Sequence, residues 1–574
     1  MSQRNCHAAR VTVLIAAFVA AGAWAAQPPD PTASDSSLNT AGGTNALLNV
    51  APDGSGNGRA NTAFGDAALV NDTSGSDNSA LGASALGSNN SGTENTAVGV
   101  LALQANTSGT ANTAVGLDAL YTNSTGFYNT AIGVGALENA NASQNTANGY
   151  DALQHDTSGG NNTATGAYSL ISNTTGGSNT ATGVSALYAN TTGIDNTATG
   201  LDSMRFNSTG NYNTANGVDA LYSNVGGIEN TAVGHLALYS NGPSSPGAGD
   251  DGNGNTAIGD SALYANTTGG RNTASGTGAL QLNTTGGANT ADGYASLQSN
   301  TTGSDNGAFG YLALTANTTG AGNTAAGFES LQTNTTGSNN AAFGYLALAA
   351  NTTGYGNTAI GTNALLHNST GIRNLAFGNN ALASNTSGST NLALGFSAGY
   401  GLLTGNNNIY VGGTPASGSE SNSIHIGTNQ IATYIAGISG VTVSGATVVI
   451  GANGQLGSVA SSARYKKDIA DMGGDSDRLA TLRPVSFRYK ADPQQQKQYG
   501  LIAEEVAQVY PELVVRNADG QVESVQYHQL IPMLLNEVQK QQKAAAEQGE
   551  EIAELRRLVA RLQARLDDPR VASR

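Results

Sequence analysis

The stretch from Asn95 to Ala111 reads NTAVGVLALQANTSGTA, and at Asn112 the chain starts the same phrase again. Reduced to its recurring positions, the unit is N-T-A-x-G-x-x-A-L-x-x-N-T-T-G-x-x. Its opening Asn falls at Asn61, Asn78, Asn95, Asn112 and Asn129 in steps of 17 residues, slips by one at Asn145, and holds again through Asn162, Asn179, Asn196, Asn213 and Asn230. A Gly/Pro/Asp-rich insertion around Gly242 to Gly252 delays the next anchor to Asn255, and from Asn272 to Asn408 the period is unbroken. Twenty-one anchors in one register specify a solenoid or an array.

Gly recurs at fixed places such as Gly99, Gly109, Gly116 and Gly126, where a chain must reverse at positive φ or approach a neighbour closely. The NTTG quartets, such as Asn190 to Gly193, read as turns. Short apolar pieces lie between them. A 17-residue unit with two or three Gly and no long apolar stripe cannot make a helical hairpin. It can make one coil of a β-solenoid, with two short strands and two turns, stacked at roughly 4.8 Å per coil into a rod of roughly 100 Å. The A-L-x-x-N half could instead be a single helical turn, since short apolar runs do not settle strand against helix. Each coil offers a Leu, one variable apolar residue and some Ala. That core is thin for offsetting the ordering entropy, so several chains are expected to pack together. The pattern resembles the β-roll heads of trimeric bacterial adhesins and the repeat regions of phage-type fibres, whose repeats usually run slightly shorter.

The chain has 574 residues and a net charge of −16, and all six Lys lie at or after Lys466. Nucleic-acid binding needs Lys and Arg against phosphate, so it is not expected. The only Cys, Cys6, and the only Trp, Trp24, fall in the first 25 residues. Arg4 and Arg10, the apolar run Val11 to Gly22 and the small residues around Trp24 read as a secretory signal peptide cut before Ala26. The run is too short to span a bilayer comfortably. Export to the surface or medium of a bacterial cell is therefore expected, with no stable membrane insertion afterwards. The mature chain would then have no Cys, and so neither disulfides nor Cys metal sites, and no cofactor or metal is expected.

The reading along the chain is a signal peptide at 1–25, a flexible leader at 26–44, the solenoid at 45–427 and a β-stem or collar at 428–460. A C-terminal α+β domain at 461–530 and a coiled-coil helix at 531–574 complete it. The last assignment rests on a heptad with Ile531, Val538, Ala545, Ile552, Val559 and Leu566 at a, and Leu534, Gln541, Gln548, Leu555 and Leu562 at d. The other reading of this tail is a long amphipathic helix packed on its own domain. A self-transporting trimeric adhesin would end in barrel strands, which this tail does not resemble.

At the composition change stands Ser461-Ser462-Ala463-Arg464-Tyr465-Lys466-Lys467-Asp468-Ile469. Further blocks follow at Leu482 to Phe487, Tyr499 to Val506, Pro511 to Val514 and Tyr527 to Leu535. Together they resemble the self-cleaving intramolecular chaperone domain of endosialidase-type phage tail fibres, a serine–lysine peptidase family that opens with S-D-x-R-x-K-x-x-I. The whole resembles secreted tail-fibre-domain proteins. The resemblance implies Ser461 as nucleophile, Lys466 as its base, Arg464 and Ile469 as supporting motif residues, cleavage between Ala460 and Ser461, and a homotrimer. Ser462 stands where the family usually has Asp. A Ser hydroxyl needs a nearby base. Lys can serve only if burial or neighbouring cations such as Arg464 and Lys467 favour its neutral form.

The expected function is a secreted trimeric fibre contacting a host-surface glycan or protein, whose only chemistry removes its own C-terminal assembly domain. An alternative is an ice-binding or other ligand-binding solenoid with a retained, non-cleaving trimerisation cap, from Thr columns such as Thr174, Thr191 and Thr267. A glycan-degrading fibre is a third reading, but no paired-carboxylate unit stands out from the repeat. His425 and His528 have no metal-ligand spacing.

Overall fold

The computed structural model describes residues 35–50, 58–242, 252–430, 448–450, 456–458, 460–517 and 519–567. The signal peptide, the first half of the leader and most of the stem lie outside them. The chain divides into two units, Met1–Thr433 and Tyr434–Arg574.

The first unit is mainly β, a long parallel solenoid. Its single sheet has 23 strands, from β1 (Thr40–Gly42) to β23 (Ile424–Ile426). Each three-residue strand pairs with the strand of the next coil in matched register, as Thr96, Ala97 and Val98 pair with Thr113, Ala114 and Val115. The central Ala of the strand is buried and its neighbours face outward. β1 lies inside the stretch read from sequence as leader, so the solenoid starts before residue 45. Its anchor, Asn39, stands 22 residues ahead of Asn61, which masks the period.

Each coil has one strand, where two were expected. The A-L-x-x-N half is neither a second strand nor a helical turn. Gly99 lies at φ 140°, Leu101 at 61° and Leu103 at 52°, an alternation of left-handed residues that neither regular structure permits. Backbone hydrogen bonds between coils nevertheless continue through it. The Leu101 N–H donates to Ala83 O (3.0 Å) in the coil before, and the Leu103 N–H to Ala119 O (2.9 Å) in the coil after. A left-handed Leu costs about 1–2 kcal/mol. Full burial of its side chain returns about 1.5–3 kcal/mol, and Leu103 is buried completely. Gly99 has no substitute, because a Cβ there would sit 2.3 Å from Gly116 O in the next coil.

Ala97, Ala102 and Leu103 fill only part of the coil interior. The rest is amide. Two Asn per coil, typified by Asn112 and Asn106, are fully buried and form two ladders along the stack. The Asn112 N–H and Nδ2 both donate to Asn95 Oδ1 (3.1 Å each), and Nδ2 also donates to Gly126 O (2.8 Å). In the second ladder, Asn207 Nδ2 donates to Asn190 Oδ1 (2.9 Å) and Gly210 O (3.1 Å), while its own Oδ1 accepts from Asn224 (2.9 Å).

The second ladder has a direction, and the chain accommodates it where each segment starts. Side-chain donors point to the preceding coil, so a first member has no side-chain oxygen there to donate to. Asp, whose carboxylate only accepts, holds those places, with Asp72 Oδ2 left without a partner among the described residues. Asp72 follows a coil with Val50 in the equivalent position, and Asp156 follows the shortened coil carrying Ala140. At the other ends, Asn123 Oδ1 (before Ala140) and Asn385 Oδ1 (before Leu402) have no partner among the described residues. Asp35 starts the first ladder in the same way, accepting from Asn39 N–H (2.9 Å) and Nδ2 (3.0 Å).

The Thr column noted from sequence is occupied internally. The Thr174 hydroxyl donates to Thr191 O (2.9 Å), and Thr191 and Thr267 do the same to Ser208 O and Thr284 O (3.0 Å each). The last coils are closed by larger groups. Tyr410 replaces the strand Ala and is fully buried, and Glu420 accepts from its hydroxyl (3.4 Å) and from the Ala416 N–H (2.8 Å) and meets His425 Nε2 (2.6 Å).

In the second unit, three antiparallel hairpins pair β24 (Val448–Ile450) with β25 (Leu456–Ser458), β26 (Val485–Phe487) with β27 (Gln498–Gly500), and β28 (Val514–Arg516) with β29 (Val522–Val525). α1 (Ala503–Val509) and α2 (Tyr527–Leu566) complete it. Val506, Tyr510, Leu513, Val525, Leu530 and Met533 form its core. Only the first turns of α2 join that core. Beyond them Ile552, Leu555, Val559 and Leu562 are exposed. Among the described residues no helix is long and apolar enough to cross a membrane.

Two predictions follow from the ladders. Asn207→Ala leaves Asn190 Oδ1 and Asn224 Nδ2 each short of a partner, at about 1–3 kcal/mol per buried group. Hydrogen exchange should accelerate in the coils around residues 190–224 and not in remote coils, because repeats couple only to neighbours. Burial pushes Asp72 and Asp156 from the ordinary 3.8 up to about 7, against hydrogen bonds from Asn89 and Gly75 N–H to the first and from Asn173 and Gly159 N–H to the second. Between about pH 4 and 7 the folded chain binds protons that the unfolded chain does not, so stability should fall as pH rises through that window. Thermal melts at pH 5 and pH 8 should show the higher midpoint at pH 5, and the difference should shrink in the Asp72→Asn, Asp156→Asn double variant.

Candidate functional site

The junction is a short turn in the second unit. Ser462 opens a single 3-10 turn, Ala463–Tyr465, closed by Tyr465 N–H to Ser462 O (3.0 Å) and Lys466 N–H to Ala463 O (3.2 Å). The reversal carries Lys466 back over the residue before the turn. Its Nζ lies 3.4 Å from Ser461 Oγ, within donor reach of the hydroxyl. The two residues that the sequence comparison pairs are therefore adjacent in space.

Ser462 has a local task. Its Oγ accepts from the Arg464 N–H and from Arg464 Nε, each at 3.4 Å. A short oxygen-bearing side chain at the start of a turn does this whether it belongs to Ser or to Asp. Arg464 also lies over the Tyr465 ring, its guanidinium carbon 5.6 Å from the centroid. Ile469 is exposed and does not enter the core. His528 sits in the first turn of α2, and no hydrogen bond joins it to Ser461 or Lys466 among the described residues.

Every residue from Ala460 to Ala470 is exposed in the single chain. An ammonium cannot accept a proton from Ser461, and displacing that proton from Lys466 takes burial or neighbouring cations. Arg464 and Lys467 supply cations in sequence; the chain alone supplies no burial. The pair thus has the contact that nucleophile activation needs without the enclosure.

A polar cluster that the sequence reading missed fastens the junction domain to its helix. Ser476 is fully buried; its Oγ donates to Glu537 Oε1 (2.5 Å) and accepts from Asn536 Nδ2 (2.5 Å) and Lys540 Nζ (3.1 Å). Lys540 also pairs with Asp477 and, at 2.8 Å, with Glu537. These partners hold the Glu537 carboxyl below its ordinary range, with Lys540 contributing most. The heptad pattern gave no sign of the cluster, because all three helix residues are unremarkable on an exposed face. Arg483 and Glu505 pair across the sheet and α1, and the Tyr527 hydroxyl accepts from the Leu501 N–H (2.8 Å). These contacts tie together the blocks singled out in the sequence.

Intact-mass analysis tests the pair directly. Wild-type protein should yield a fragment beginning at Ser461, absent from Ser461→Ala and from Lys466→Ala, while Ser462→Asp should still yield it. Full-length chain in all four would remove the assignment of these two residues.

Residues 461–515 match the family model for the chaperone of endosialidase. No curated protein and no solved structure gives a significant match to the chain. The matched segment begins at Ser461 itself and ends in β28, covering the junction turn, the Leu482 to Phe487 block and α1. The chain therefore joins a parallel β-solenoid of 17-residue repeats to a C-terminal segment that matches the chaperone of endosialidase family.

Proposed function

We propose that this chain is the subunit of an exported, tail-fibre-like rod that assembles as a homotrimer and then removes its own C-terminal domain. The observation that carries the reading is the coincidence at one residue. The family match begins at Ser461, and Lys466 Nζ lies 3.4 Å from that residue's Oγ. In the proposed order, the C-terminal domains associate first and the coils stack. Packing of the copies then encloses the junction, so that Lys466 loses its proton and accepts one from Ser461. Attack of Ser461 Oγ on the Ala460 carbonyl forms an ester as the Ala460–Ser461 C–N bond breaks, Lys466 returns the proton to the departing Ser461 amine, and water hydrolyses the ester to release the solenoid ending at Ala460.

Two features support self-association. The outer part of α2 carries an apolar stripe that its own domain leaves uncovered, as a coiled-coil strand does before it meets its partners. The exposure of the junction gives assembly a chemical consequence, since enclosure is what Lys466 lacks. Outward contact with a host glycan or protein belongs to the same proposal. The solenoid is rich in partly exposed Thr and poor in charge, which suits either.

Expression of a gene ending at Ala460 tests the reading. The shortened chain is expected to give no assembled rod, whereas chain made at full length and then cut keeps its assembly and its β-sheet spectrum. A shortened chain that assembles as well as the cut one would mean the C-terminal domain is no chaperone.

A further inference from the structure

The outward face of the solenoid sheet changes character along its length. The first residue of each strand is Thr in most coils from Thr40 to Thr358, with Ser79, Gly307 and Ala341 as the small exceptions. In the last four coils it becomes Leu or Ile. β20 (Leu375–Phe377), β21 (Leu392–Leu394), β22 (Ile409–Val411) and β23 also carry Phe, Leu, Val or Ile at the third position. Both outward columns are then apolar, and neither holds a charged or hydrogen-bonding side chain. Upstream, the third column is apolar in some coils, as at Leu81, Ile132, Ile258, Phe309 and Phe343, but always beside Thr, Ser, Gly or Ala in the first, and Thr163–Thr165, Thr180–Thr182 and Thr197–Thr199 present Thr in both. Nothing in the coil geometry demands the change, because the strands keep the same length and register throughout.

The apolar columns are uncovered: Phe377 is 50% exposed, Leu394 47%, Ile424 66% and Ile426 73%. Four coils of such residues, flanked by exposed Phe396, form a patch approaching the roughly 800 Å² that each partner contributes to a standard interface. Scattered exposed Leu needs no explanation; a contiguous apolar face of this size does.

We infer that the last four coils are where the solenoids of neighbouring copies of this chain pack together, while the Thr-faced coils upstream remain free. This rests on the self-assembly proposed above. Identity of the partner follows from three observations. The face carries no charge with which to select a different protein. It is followed in sequence by the unit whose helix also leaves an apolar stripe uncovered. Copies joined in parallel through that helix would bring the same coils to the same level, so apolar coils meet apolar coils. Upstream strands that end in an apolar residue, such as Ile258, Phe309 and Phe343, have Thr, Gly or Ala in the other column, so their sheet face gains less on packing.

Single cysteines in a Cys6→Ser background separate the possibilities, since the chain has no other Cys. Leu394→Cys and Thr199→Cys occupy the same strand position in two coils. With a short bis-maleimide on purified wild-type-length protein, Leu394→Cys should cross-link between copies and Thr199→Cys should not. A second variant, Leu375→Thr with Leu392→Thr and Ile409→Thr, restores the residue that most other coils carry and so preserves the coil. After the C-terminal domain is removed, its solenoids should separate into single copies. Absent cross-linking at Leu394→Cys, in protein whose native mass is that of several copies, would overturn this interface and leave self-assembly standing. Single copies for the unmodified chain would overturn both.

Discussion

An amide that accepts from the coil after it and donates to the coil before it is the interaction on which this molecule depends. Hydrophobic burial alone is meagre, because each coil contributes Ala, Ala and Leu to its interior. Asn fills the remaining space and is fully satisfied there only when the same residue recurs in the neighbouring coils. A buried polar group without its partner is expensive, so the ladder punishes any slip of register. Specificity of stacking therefore comes from the Asn columns, and the Gly columns permit the close approach that stacking needs. The Asp residues at the starts of ladder segments express the same constraint. Where the coil before offers no side-chain oxygen, the chain uses a carboxyl in place of the amide.

The C-terminal unit follows a different logic. Its core is an ordinary cluster of Val, Leu, Met and Tyr around α1, a hairpin and the base of α2. It places Ser461 and Lys466 together by a tight turn and leaves them in solvent. A peptidase acting on other proteins would be expected to enclose its base permanently. A residue pair meant to act once, on its own chain and after assembly, gains from being incomplete beforehand. The geometry and the exposure are two halves of one device under the proposed function, and the uncovered apolar surfaces of α2 and of the last solenoid coils mark what completes it.

The period was legible because Asn and Gly recur at positions where substitution fails in every coil. It specified the solenoid and nearly all of its anchors. Asn39 escaped because the next anchor lies 22 residues away. The single strand per coil escaped because left-handed Leu101 and Leu103 break the usual rule that such residues are Gly, Asn or Asp. A stacked neighbour stabilises what an isolated sequence would avoid. The ladder direction, and with it the role of Asp72 and Asp156, could not be read from the residues, since Asn and Asp look interchangeable until donors are counted. At the junction, the motif singled out Ser461 and Lys466, which lie within hydrogen-bond reach, and the Ser462 side chain hydrogen-bonds to Arg464. The Ser476 cluster was not, because it joins residues 60 positions apart without any pattern in either segment.

The central claim is that the chain assembles itself and then severs its own assembly domain at one bond. Native mass of the purified, fully processed protein addresses both parts at once. The expected species contains three copies, each ending at Ala460. A single uncut chain, monodisperse and with its solenoid intact, would contradict the account.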